Sequence, residues 1–112
     1  MSLDFYLGYE DAITCECVEA YSRNITHNLA VMADKAGIYQ HLWHPDQIGI
    51  TIAGDLIKPL EEGLALLKKN PKKFKKYDSP NGWGTYDHFV EFVEDCLSAC
   101  KKYPTSKVST ST

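Results

Sequence analysis

Two stretches of this 112-residue chain repeat apolar residues every three or four positions, and each stripe must be buried against something. The first runs from about Ile52 to Lys69 and carries Ala53, Leu56, Ile57, Leu60, Leu64 and Leu67. The second runs from Tyr86 to Lys102 and carries Phe89, Val93, Cys96, Leu97 and Cys100. Thr51 and Thr85 stand where N-caps are wanted, and Lys101 and Lys102 suit the negative end of the second helix. Pro59 interrupts the first helix, so the spacing predicts a kink there, because Leu56 and Ile57 continue the stripe on its N-terminal side. A third helix is predicted from about Ile25 to Ala36. Asn24 would cap it, Gly37 would stop it, and Ile25, Leu29, Met32, Ala33 and Ala36 would share one face.

The remaining punctuation is shorter. Leu3 to Leu7 and Thr14 to Tyr21 read as strands joined through a turn region, Gly8 to Ala12, which makes a hairpin. A helical turn from Ile38 to Trp43 ends at His44-Pro45, since proline restricts the residue before it. Asn70-Pro71 stops one helix and opens a basic turn from Lys72 to Tyr77. The tail from Ser106 to Thr110 is compatible with an edge strand beside Leu3 to Leu7, or with a frayed end. The expected fold class is α+β, a small antiparallel sheet packed on three main helices. One globular domain would cover residues 1–104, with a tail at 105–112. At 44% hydrophobic and 24% charged residues, a chain of this length can bury a core.

The first residues lack a basic and apolar leader pattern, and no apolar run has the length of a membrane span, so a soluble, cytoplasmic protein is expected. Net charge is −3, but residues 1–67 hold ten acidic and three basic side chains, while Lys68, Lys69, Lys72, Lys73, Lys75 and Lys76 crowd into nine positions. The simpler reading is a solvated helix end favoured by the macrodipole; the other is a patch for a phosphate backbone or an acidic partner. With so little Arg or interleaved aromatic content, specific nucleic-acid readout is not expected.

The loop Ser79-Pro80-Asn81-Gly82-Trp83-Gly84-Thr85-Tyr86 places an indole between two glycines, on a turn, where side chains that touch partners are over-represented. Arg23, Asn24, Thr26, His27 and Asn28 bracket the predicted helix start, and such starts offer backbone N–H groups to phosphate or carboxylate. Trp43, Asn81, Trp83 and Tyr86 complete the candidate binding set, since aromatic faces grip nucleobases. The alternative for both Trp residues is that they cover the edge of the core. For His27 and His88 the alternative is that they only close a helix start.

Cys15, Cys17, Cys96 and Cys100 form the one candidate zinc set, because strand alternation and helical spacing each put a pair on one face. Cys96 and Cys100 also fall on an apolar stripe, where buried reduced thiols are the simpler reading. No catalytic triad order, phosphate loop or nucleophile elbow is present, so catalysis is disfavoured and no cofactor is expected.

The run Asn24-Ile25-Thr26-His27-Asn28-Leu29, then Gly37-Ile38-Tyr39 with Leu42-Trp43 and Pro45, then Asn81-Gly82-Trp83-Gly84-Thr85-Tyr86, resembles a group of small phage- and prophage-encoded proteins. The resemblance spans about residues 24 to 104. It implies an accessory product of a bacterial virus that binds a host component, antiviral defence included, and it implies no catalytic residues. The expected function is therefore a non-catalytic binding protein that sequesters a small nucleotide-like anion. The alternatives are an inhibitor docked on a host enzyme and a zinc-stabilised structural module. A small ligand trap would build its site across a symmetric homodimer.

Overall fold

In the computed structural model, which describes residues 2–10, 17–78 and 84–111, the N-terminal alternation forms strand β1 (Ser2–Glu10). Leu3, Phe5 and Leu7 point to one side and are fully buried, while Asp4 and Tyr6 on the other side are half-buried. This strand is the centre of an antiparallel sheet of order β2-β1-β3, flanked by β2 (Cys17–Thr26) and β3 (Lys107–Ser111). The register sets Leu3 opposite Ile25, Phe5 opposite Arg23 and Leu7 opposite Tyr21; a bulge after Leu7 then brings Gly8 opposite Glu19. The tail is an edge strand, with Val108 opposite Leu7 and Thr110 opposite Phe5. Thr110 Oγ1 also donates to the carbonyl of Trp43 at 3.1 Å.

The predicted helix at 25–36 is the main correction. The β2 strand continues to Thr26, a 3₁₀ turn occupies His27–Leu29, and helix α1 covers only Ala30–Lys35. Ile25, Leu29, Met32, Ala33 and Ala36 are all buried as their spacing requires, yet Ile25 reaches the core from a strand. The β-branched pair Ile25-Thr26 prefers extended backbone, and pairing with Leu3 and Ser2 satisfies groups that a helix start would leave without partners. Asn24 is accordingly no cap: its Nδ2 donates to Asp4 Oδ1 at 2.7 Å across the sheet. The stop at Gly37 does form. Its φ is 78°, Gly37 N–H donates to the Asp34 carbonyl, and Ile38 N–H donates to the Ala33 carbonyl.

Helices α2 (Tyr39–Trp43), α3 (Gly54–Lys69), α4 (Pro71–Lys75) and α5 (Tyr86–Lys102) follow, the short α2 and α4 at the two expected helical turns, and with the sheet they make an α+β fold. Pro59 lies within α3, which continues through it as one element. Thr51 does not cap α3, which begins after Ala53. Its carbonyl instead accepts from Val108 N–H at 3.0 Å, tying the chain to β3. Leu56, Leu60 and Leu67 of α3 meet Phe89, Val93, Cys96 and Cys100 of α5 in a core shared with β1. Gly63 admits Ile38 against α3, since a Cβ there would stand 2.5 Å from Ile38 Cγ2. Among the described residues no helix is long and apolar enough to cross a membrane.

Candidate ligand cavity at the end of β2

The segment that leads into α5 is fastened on both sides of residues 79–83. Asp78 Oδ1 accepts from the Tyr86 N–H at 2.7 Å, and Thr85 caps α5 by accepting from the His88 N–H at 3.3 Å. Between them Gly84 is buried at φ 107°, where a Cβ would meet Thr26 Cγ2 at 2.9 Å and Asn28 Cβ and Leu29 Cγ at 3.2 Å. The start of α5 therefore abuts the end of β2. A cavity of about 190 Å³ opens at that junction, walled by Arg23, Asn24, Ile25, Thr26 and Leu29 on one side and by His88 and Phe92 on the other.

Arg23 dominates its electrostatics. One guanidinium nitrogen lies 3.2 Å from Glu91 Oε1, the other pairs with Asp95, and the guanidinium carbon sits 6.0 Å from the centre of the Phe92 ring. The side chains of Glu91 and Asp95 are 63% and 52% exposed, so solvent screens both pairs and each holds Arg23 weakly. The expected dipole contribution from a helix start at residue 25 is missing, because α1 begins at Ala30. At α5 the Tyr86 N–H is already engaged by Asp78 and the His88 N–H by Thr85. Charge in the cavity comes from side chains.

Arg23, Asn24 and Thr26 thus line one cavity, and exposed Asn28 sits on its shoulder against Gly84. Two aromatic candidates belong elsewhere. Trp43 is fully buried and stacks on Tyr39 with centroids 5.4 Å apart, which makes it a core residue with no face open to a ligand. Tyr86 is 8% exposed and donates its hydroxyl to the Leu67 carbonyl at 2.8 Å; burial pushes that phenol up. The His27 side chain, Asn81 and Trp83 lie outside the described residues.

Sequence reasoning overlooked Phe92, Glu91 and Asp95. One signal was available: Arg23 is the sole arginine of the chain, and Glu91 and Asp95 stand four apart on one face of a predicted helix.

Of the candidate zinc set, Cys15 and the Cys17 side chain lie outside the described residues, while Cys96 and Cys100 are buried in the core. Burial pushes both thiols up, Cys100 to about 12, as befits thiols packed in an apolar core. Cys96 Sγ lies 3.8 Å from the Tyr21 hydroxyl. Among the described residues no three His, Cys, Asp or Glu side chains cluster at metal-binding range.

Compared with known proteins, the chain matches no family model, no curated protein and no solved structure.

Proposed function

We propose that this is a non-catalytic binding protein that holds a small anionic ligand of nucleotide type in the cavity between β2 and α5. The observation that carries the reading is convergence: Arg23, Asn24 and Thr26 share one cavity with His88, more than 60 positions away, beside the residue that follows Trp83. The exchange it requires is cheap. Exposed ion pairs are worth about 1 kcal/mol or less, whereas a phosphate engaging the guanidinium in bidentate fashion gains shorter and stronger hydrogen bonds. In a phage-encoded product of the kind the sequence resembles, such a site would sequester a host signalling nucleotide and blunt a defence response.

Calorimetry of the purified chain against mono-, di- and cyclic nucleotides tests this. Saturable heat with one class is expected, together with a change in Trp83 emission in a Trp43→Phe background. A panel without heat, and with that emission unmoved, overturns the reading.

A second reading, an inhibitor docked on a host protein, has one observation in its favour. Depressions around Gly37, Tyr39 and His41 carry the exposed apolar side chains of Val31 and Leu66, at 54% and 37%. If the nucleotide panel is blank, loss of a host enzyme's inhibition in Val31→Ser/Leu66→Ser would favour it.

A further inference from the structure

We propose that the elbow between α3 and α4 is a surface for the phosphate backbone of double-stranded nucleic acid, bound without regard to sequence. Six lysines and no acid lie between positions 68 and 76, so the rest of the chain carries −9 against a whole-chain −3. Lys68 pairs with Glu94 at 2.9 Å. Lys69, Lys72, Lys73, Lys75 and Lys76 are exposed, and no ion pair to them is found among the described residues.

The elbow that displays them is held in shape. Asn70 Nδ2 donates to the Leu66 carbonyl at 3.3 Å, Pro71 opens α4, and Phe74 plugs the turn into the core with no exposed surface. Lys75 lies over the Tyr86 ring, its nitrogen 5.7 Å from the centroid.

The chemistry of the patch selects among polyanions. Duplex DNA presents one charge per ~1.7 Å of its axis, both strands counted, a density at which five closely spaced lysines can each find a phosphate. A bilayer surface is disfavoured because Phe74, the aromatic residue of α4, is buried and cannot anchor the elbow in the headgroup layer. Single strands need exposed aromatic platforms, and among the described residues Phe74 and Tyr86 are in the core and Tyr77 is half-buried. Protein interfaces are depleted in lysine and want an apolar centre, which the elbow lacks. Arginine is a frequent reader of guanine, and the one arginine of the chain is paired with Glu91 and Asp95. The acidic remainder would turn the elbow toward the polyanion.

Fluorescence anisotropy with two unrelated duplexes of about 20 base pairs, titrated with salt, tests the proposal. The expected result is equal affinity for both duplexes and a log–log salt slope of about −4.5, which amounts to a several-hundred-fold loss between 50 and 200 mM salt. Lys69→Gln/Lys72→Gln/Lys73→Gln/Lys75→Gln/Lys76→Gln should lose at least about tenfold in affinity at low salt, with circular dichroism unchanged. Should that variant misfold, Lys69→Gln/Lys72→Gln and Lys73→Gln/Lys76→Gln separately should each flatten the slope by about 2. Arg23→Gln should bind as wild type does, which separates this surface from the cavity. The proposal is overturned by no duplex binding at 50 mM salt, by binding that survives the lysine variants, or by tighter binding to single strands or to vesicles containing anionic lipid.

Discussion

Gly84 packs directly on Thr26: a Cβ at position 84 would stand 2.9 Å from Thr26 Cγ2, and the φ of 107° is one that residues with side chains rarely adopt. This contact sets how far α5 starts from the end of β2, and therefore the width of the cavity between them.

Gly84→Ala meets two penalties at once, backbone strain and overlap with neighbours that are themselves packed. It should destabilise the protein by about 2–4 kcal/mol in urea unfolding. Adding Thr26→Ser removes the closest clashing methyl and should recover some of the steric part, while the contacts with Asn28 and Leu29 and the backbone part stay. A neutral Gly84→Ala would show that the two segments do not touch.

Tyr86 has a structural task that its sequence neighbourhood hides. The carbonyl of Leu67 would normally accept from the amide four residues on, but that residue is Pro71, which has none; the Tyr86 hydroxyl fills the vacancy at 2.8 Å. Tyr86→Phe should therefore cost about 1–2 kcal/mol of stability by stranding a buried acceptor, with ligand affinity at the cavity unchanged. A specific loss of binding at constant stability would return Tyr86 to the site.

What the sequence made legible follows from period and punctuation. The stripes of α3 and α5, the stop at Gly37, the cap at Thr85 and the β-compatible tail are local signals, and each corresponds to an observed element. The end of β2 was misread for a physical reason. Ile25, Leu29, Met32 and Ala33 keep a helical spacing whether Ile25 enters the core from a helix or from a strand, and only the pairing with Leu3 decides between them. The same non-local contact governs the site. Arg23, Asn24 and Thr26 were recognised as a group because they are contiguous, whereas Glu91 and Phe92 join them only through the packing of α5 on β2. Trp43 looked turn-borne beside His44-Pro45, but α2 turns it inward onto Tyr39, where burial outweighs the local chemistry.

The weak pairing of Arg23 makes a prediction with opposite signs at its two ends. Arg23→Gln removes the cavity's cation and should reduce nucleotide affinity by at least about tenfold, while unfolding free energy moves by about 1 kcal/mol or less. Glu91→Gln removes a competitor for the guanidinium and should tighten the same ligand. Calorimetry on both variants checks this, and parallel losses would show that Glu91 itself contacts the ligand.

His41 supplies the pH dependence. Burial against the Gly37 turn and α3 lowers its pKa below the ordinary value, and a hydrogen bond with the Gly37 backbone only partly opposes that shift. The unfolded chain takes up the proton near pH 6.5, as free imidazole does, while the folded protein resists until a lower pH. Between those points unfolding consumes a proton, so stability present above about pH 6.5 declines as the solution is acidified toward the folded value. Urea midpoints taken at about pH 7.5 and 5.5 should fall for the wild-type chain, and fall less for His41→Gln, which cannot titrate. The two chains differ only at position 41, so the difference between their pH slopes isolates the imidazole. Identical pH slopes in the two proteins would show that His41 is as accessible to protons when folded as when unfolded.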